Sequence, residues 1–262
     1  MPASPSPSRA TATRTPVIAG NWKMHKTVAE SLELATALKN GVAAVRDVEV
    51  VIAPAFTALH AVAQRLEGSR VALAAQDCFW EDQGAWTGAV SVKLLADVGC
   101  RYIIVGHSER RQHFGETDAA VNLKAKAVLK HGLGPIVCIG ETLREREGGN
   151  TLPVIERQVR DGLAGFSRDV VRGLTIAYEP VWAIGTGKTA TPEQAQEVHA
   201  AIRTLLKELA GEAGSETVRV LYGGSVKADN IDTLMAQPDI DGAFVGGASL
   251  DAAAFSRIIS FR

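Results

Sequence analysis

From Pro16 onward one alternation recurs along the chain: a short run of consecutive apolar residues, a polar turn, then a stretch with helical spacing. The first four runs are Val17-Ile-Ala-Gly-Asn21, Glu49-Val-Val-Ile-Ala53, Val71-Ala-Leu-Ala-Ala75 and Tyr102-Ile-Ile-Val105. The next four are Pro135-Ile-Val-Cys-Ile139, Leu174-Thr-Ile-Ala-Tyr178, Val218-Arg-Val-Leu-Tyr222 and Gly242-Ala-Phe-Val245. Apolar residues in succession, rather than in alternation with polar ones, predict strands covered on both faces, as in a parallel sheet flanked by helices. The intervening stretches fit those helices. After Thr191, the residues Val198, Ile202, Leu205 and Leu209 fall on one predicted face. Thr191-Pro192-Glu193-Gln194 supplies an N-cap, a proline at the first helical position and a capping-box glutamine.

Eight strand–helix units without a linker between them predict an α/β chain forming a single closed (β/α)8 barrel of eight parallel strands over residues 16–262. A doubly wound open sheet would bring a Gly-x-Gly-x-x-Gly turn after its first strand, and Gly20-Asn21-Trp22-Lys23 is no such turn. Residues 1–15, rich in Pro, Ser, Thr and Ala, have no apolar segment of the secretory kind and only a faint likeness to a transit peptide. They are expected to be a disordered tail, because they carry too little apolar surface to offset the entropy of ordering.

Composition narrows the partners. A net charge of −1 gives no reason to expect nucleic acid or a membrane surface, and no run approaches the ~20 apolar residues of a bilayer span. The three cysteines, Cys78, Cys100 and Cys138, are scattered and form no CxxC pair, which fits a reducing, cytoplasmic setting. The six histidines show no ligand spacing, so no metal is expected.

In such a barrel the working groups lie at the C-terminal strand ends. Those positions hold Asn21 and Lys23 after the first strand, His107 and Glu109 after the fourth, and Glu179 after the sixth. Glu179 precedes Pro180, which drives it into an extended conformation at the strand end. It is read as a general base, against the commoner fate of a loop glutamate as a solvated surface group. The following segment, residues 180–190, is apolar at its start and carries Gly185 and Gly187 near its tip, the composition of a lid. Gly185-Thr-Gly-Lys-Thr189 resembles a nucleotide P-loop only in part, since Trp182 stands where that motif needs its first glycine. Gly223-Gly224-Ser225 and Gly246-Gly247 end the last two strands, where barrels commonly bind phosphate. His107 heads a helical turn, whose positive end favours a neutral imidazole, and Lys23 brings positive charge to the place where an enediolate would develop.

These motifs resemble one family closely. Asn21-Trp-Lys-Met24, Gly106-His-Ser-Glu-Arg-Arg111, Cys138-Ile-Gly-Glu-Thr142, Ala177-Tyr-Glu-Pro-Val-Trp-Ala-Ile-Gly-Thr-Gly-Lys188, Leu221-Tyr-Gly-Gly-Ser-Val226 and Val245-Gly-Gly-Ala-Ser249 are similar to those of triosephosphate isomerases, over essentially the whole chain from Pro16. The resemblance implies interconversion of dihydroxyacetone phosphate and glyceraldehyde 3-phosphate, a small phosphorylated triose, without a cofactor. It implies that Glu179 moves the carbon-bound proton, His107 shuttles protons at the substrate oxygens, Lys23 stabilises negative charge and Asn21 polarises the same oxygens. Glu109 would pair with or orient Lys23. Gly185, Ser225, Gly246 and Gly247 would hold the phosphate, with Cys138 packed behind the base.

The resemblance further implies a homodimer in which the loop around Thr87 reaches the partner. Ala89 departs from the family, where a glutamate common at that position pairs across the interface with the arginine matching Arg110, so Arg110 must find another partner. Two rivals remain on the sequence. The first is another phosphate-binding barrel, an aldolase or a sugar-phosphate isomerase of amino-acid biosynthesis; barrel aldolases often need a Schiff-base lysine within a strand, and none of the eight runs contains one. A non-catalytic binding protein would be expected to have lost Lys23, His107 or Glu179.

Overall fold

The computed structural model of the protein describes residues 14–186 and 189–262. Its strands are β1 (Val17–Asn21), β2 (Glu49–Ala53), β3 (Ala72–Ala75), β4 (Tyr102–Val105), β5 (Gly134–Ile139), β6 (Thr175–Tyr178), β7 (Arg219–Tyr222) and β8 (Gly242–Val245). They form one closed barrel in sequence order. Closure is made by β1, which pairs in parallel with β2 on one side and with β8 on the other. The helices alternate with the strands: α1 (Val28–Gly41), α2 (Leu59–Leu66), α3 (Val92–Val98), α4 (Ser108–Phe114), α5 (Asp118–Lys130) and α6 (Leu143–Glu147). Then follow α7 (Thr151–Gly162), α8 (Arg168–Val171), α9 (Pro192–Ala210), α10 (Glu212–Ser215), α11 (Ile231–Met235) and α12 (Ala252–Ile259). No helix among the described residues is long and apolar enough to cross a membrane.

The consecutive apolar runs now have a physical reason. Successive side chains of a strand point to opposite faces, and here both faces are buried. One set, including Val17, Ala19, Val51, Ala53, Ala72, Ala74, Ile104, Cys138, Ala177, Leu221 and Phe244, fills the barrel interior. The other set, including Ile18, Ile52, Leu73, Ile103, Val137, Ile176 and Val220, packs outward beneath the helices. Many interior residues are alanines, because eight strands leave room for few large side chains. The same parity carries a consequence for function. Asn21, Glu179, Gly223 and Gly246 each follow an interior residue by two positions, so their side-chain directions point into the mouth of the barrel.

The chain anchors α9 as its sequence predicts: Thr191 accepts the Gln194 N–H, and the Gln194 side chain accepts from the Thr191 N–H. Its buried face is rotated from the expected one. Val198 and Ile202 are buried as read, but the stripe continues through Leu206 and Ala210, while Leu205 and Leu209 are half-buried at its edge. His199 and Arg203, polar residues on the same face, are also buried.

The expected disordered tail, apart from Arg14 and Thr15, lies outside the described residues. Arg14 itself corrects that boundary. Its side chain is buried, Nε donates to Asp241 Oδ1 at 2.7 Å and Nη1 donates to Glu216 Oε2 at 2.7 Å. Asp241 also accepts from Arg203 at 2.5 Å and from the Val220 N–H at 2.9 Å. A charged group tied in this way to a buried aspartate belongs to the barrel, whatever the composition around it suggests.

Candidate active site

The C-terminal mouth of the barrel contains a cavity of about 350 Å3 lined by Asn21, Lys23, His107, Glu179, Gly185, Gly223, Gly224, Ser225, Gly246 and Gly247, among others. Every sequence-predicted site residue within the described part thus lines it except Glu109. That residue sits behind Lys23, whose Nζ lies 2.6 Å from Glu109 Oε1. Gly187 and Lys188 of the lid lie outside the described residues.

Each group is held by its own local device. Asn21 Oδ1 accepts the Lys23 N–H at 3.0 Å, and Lys23 takes the left-handed backbone conformation (φ 52°), which costs energy for a residue with a Cβ and is a frequent mark of a functional position. Gln76 donates to the carbonyls of Lys23 and Ala53 at 2.8 and 2.9 Å, fixing the turn after β1 to the end of β2. His107 is the N-cap of α4. Its Nδ1 accepts the Glu109 N–H at 3.2 Å, and its Nε2 lies 2.9 Å from Glu179 Oε1. A nitrogen that accepts a hydrogen bond carries no proton, so the neutral ring is the Nε2–H tautomer and that proton faces Glu179.

Glu179 is 2% exposed. Its Oε2 accepts the Ser108 N–H at 3.0 Å and its Oε1 accepts the Ser108 hydroxyl at 3.3 Å. Burial alone would push this carboxyl up, but His107, the Ser108 N–H and Lys23 outweigh it and hold it below the ordinary glutamate value. Burial likewise pushes the His107 ring down, while the Glu179 and Glu109 carboxylates leave it above the ordinary histidine value. The two effects are coupled. The pull on His107 lasts only while Glu179 is charged against it, and a second proton on the ring would break the Nδ1 hydrogen bond. Cys138 lies buried in the barrel interior, where burial and then the Glu179 charge hold its thiol well above its usual range.

Glycine shapes the floor under Glu179. A Cβ at Gly140 would lie 1.7 Å from the Glu179 carbonyl oxygen, and one at Gly223 would lie 3.0 Å from Glu179 Cγ. The glycine loops after β7 and β8 do not lead directly into long helices. Gly223-Gly224-Ser225 is followed by a turn, and α11 starts only at Ile231. Gly247 opens a four-residue 3-10 turn, Gly247–Leu250. These loops offer irregular main chain, with a weaker dipole than a long helix would supply.

Several working residues escaped the sequence reading. Ser108 anchors Glu179 and Gln76 anchors the lysine turn; both sit beside recognised motifs, but single polar residues carry no pattern. Lys227 adds a second cation to the cavity wall. Glu141, fully buried, accepts from Trp182 Nε1 at 2.9 Å and from the Tyr178 hydroxyl at 3.1 Å, and pairs with Arg146 at 3.2 Å. The Arg146 guanidinium also lies over the Trp182 ring, 4.6 Å from its centre. This cluster ties the first turn of the lid, Val181–Ala183, to the loop after β5.

A buried carboxylate facing an imidazole N–H, a lysine beside them and a glycine-lined anion pocket at the mouth of a (β/α)8 barrel define an acid–base enzyme that handles a small anion. Comparison with known proteins narrows the class. The triosephosphate isomerase family matches residues 16–262. Triosephosphate isomerase of Pelobacter propionicus is 59% identical over 249 residues, 95% of this chain and 99% of that protein. Those of Moorella thermoacetica and Chloroflexus aurantiacus are 58% and 56% identical, over 95% of this chain and 99% and 100% of their own lengths. The chain belongs to the triosephosphate isomerase family and is an isomerase of a phosphorylated triose.

Proposed function

We propose that the protein interconverts dihydroxyacetone phosphate and D-glyceraldehyde 3-phosphate in glycolysis and gluconeogenesis, with Glu179 as the base and His107 as the proton shuttle. The observation that carries this assignment is the 2.9 Å approach of His107 Nε2 to Glu179 in a cavity that also holds Lys23 and the glycine loops. Substrate oxygens replace Glu179 as the partner of the Nε2–H. Glu179 takes a proton from the hydroxyl-bearing carbon, and the electron pair moves to the carbonyl oxygen to give an enediolate. His107 gives its Nε2 proton to that oxygen and recovers one from the neighbouring hydroxyl; Glu179 then returns its proton to the former carbonyl carbon. Lys23 and Asn21 offset the charge on the oxygens, Glu109 keeps the lysine in position, and Gly185, Ser225, Gly246 and Gly247 hold the phosphate.

The active form on this reading is a homodimer joined through the loop around Thr87. Exposed Trp86 on that loop and exposed Phe56 and Phe114 beside a cavity of about 450 Å3 support it. Ala89 removes one cross-interface charge, and Arg110 pairs within its own chain with Asp77 at 3.0 Å and Glu116 at 2.9 Å. Three free, buried cysteines suit the cytoplasm, and residues 1–13 are expected to be dispensable for catalysis. The deciding experiment is a coupled assay of glyceraldehyde 3-phosphate isomerisation on the purified protein. Turnover without added metal or cofactor is the expected result; a protein that binds the substrate and does not turn it over refutes the reading.

A further inference from the structure

The N-terminal rim of the barrel, opposite the candidate site, holds a cavity of another kind. It measures about 230 Å3 and lies between the ends of α1 and α2 and the starts of β2 and β3. Its floor is valine: Val42, Val50 and Val71 are buried, and Val45 and Val48 half-buried. Its rim carries Lys39, Arg46 and Arg70, and no aspartate or glutamate among the described residues lines it.

Those cations form no ion pairs among the described residues. Lys39 Nζ donates to the carbonyls of Arg65 and Glu67 at 3.2 and 2.5 Å. Arg46 Nη1 donates to the carbonyls of Ala43 and Val45 at 2.5 and 2.9 Å. Lys39 caps the C-terminal end of α2, and Arg46 holds the turn that follows α1, which accounts for these two positions. This leaves the remaining guanidinium nitrogens of Arg46 unused, and the Arg70 guanidinium has no hydrogen bond or ion pair among the described residues. The contrast with the substrate cavity is informative. There, among the described residues, Lys23 and Lys227 stand against Glu179, a lining of net +1; here the lining is +3, in a chain of net −1.

We propose that this rim cavity binds a small organic anion: a carboxylate or phosphate monoester carried on an apolar body about the size of a benzene ring. The valine floor strips water from the body, and the guanidinium forks meet the oxygens of the head group. An apolar cavity of about 150 Å3 holds benzene, so this one has room for a ring and one head group. Inorganic phosphate would leave the floor wet, and a neutral ring would leave the cations unused. Because the site faces away from the substrate cavity, its occupant stabilises the barrel without competing with substrate.

Titration of the full-length protein with 4-fluorobenzoate, followed by fluorine NMR, tests this. Saturable binding with a Kd of about 1 mM is expected for a ligand of this size. Arg46→Glu and Arg70→Glu should each weaken it at least about fivefold, since each replaces an attraction with a repulsion. Arg144→Glu, at an exposed cation elsewhere, should leave it unchanged, and 4-fluorobenzyl alcohol should bind at least about tenfold more weakly. Isomerase activity serves as the fold check for each variant and should be unaffected by saturating probe. Displacement by phenyl phosphate at lower concentration than by benzoate assigns the head group as phosphate, and the reverse order assigns it as carboxylate. Absence of saturable binding at millimolar probe, binding that survives both charge reversals, or competition with substrate overturns the proposal.

Discussion

His199 offers a quantitative test of how the barrel wall is built. The ring is fully buried on α9, with Nδ1 3.2 Å from the Asp239 carbonyl, and it meets the edge of Tyr178 at 5.8 Å between centroids. A carbonyl only accepts, so Nδ1 carries a proton; Nε2 is buried without a partner among the described residues, so a second proton there would have no acceptor and the ring is neutral. Burial, partly offset by that carbonyl and by Asp241, pulls its pKa from 6.5 down to about 4. In the unfolded chain the same ring takes up a proton near the ordinary value. Between 6.5 and about 4 the unfolded state therefore holds the extra proton, and the folded state loses stability as pH falls. At about 1.36 kcal/mol per pH unit the loss sums to about 3 kcal/mol and stops growing below the folded pKa. His199→Asn keeps a donor for the carbonyl and removes the titration, at the cost of a cavity worth about 1–3 kcal/mol at neutral pH. Urea unfolding of both proteins, at matched concentration from pH 7 to pH 4, isolates the effect from other titrating groups. The variant should start less stable and close the gap by about 3 kcal/mol as the medium is acidified. A stability difference that stays constant across this range would refute the assignment of a neutral, desolvated ring.

Four other outcomes are expected. Glu179→Gln should lower kcat by at least ~10²-fold with phosphate binding nearly intact, read by steady-state kinetics with inorganic phosphate as competitor. Gly223→Ala places a methyl 3.0 Å from Glu179 Cγ and 3.1 Å from the Tyr178 carbonyl, and the strand backbone cannot yield. The base shifts instead, and kcat should fall about tenfold with KM little changed. Arg14→Ala should cost about 1–3 kcal/mol in thermal or urea unfolding while kcat stays the same, because Asp241 keeps Arg203 and the Val220 N–H. Sedimentation at micromolar protein should give a dimer, and a monomer there would remove the proposed interface.

Much of the fold was legible because strand and helix signals are local. Continuous apolar runs gave eight strands within a residue of their observed limits, as at Ala72, Gly134, Thr175 and Arg219. The α9 cap was legible for the same reason, since its donors and acceptors lie three residues apart. The rotation of its buried face onto Leu206 was not, because a window containing Leu205, Leu206 and Leu209 fits either orientation and the neighbouring helices choose.

The candidate site divides along the same line. Sequence by itself determined which residues stand at the C-terminal strand ends, and the parity of each strand directs Asn21 and Glu179 into the mouth. It could not determine which of them touch. His107 and Glu179 meet only because β4, β5 and β6 lie side by side, and Ser108 reaches the base across 71 residues of chain. Arg14 reads as part of a polar tail until closure of β8 against β1 brings Asp241, 227 residues away, to its guanidinium. Local pattern is written by backbone geometry over a few residues. The pairing of charges, the burial that shifts them and the space a glycine must leave empty are set by neighbours distant in sequence, and only the closed barrel supplies those.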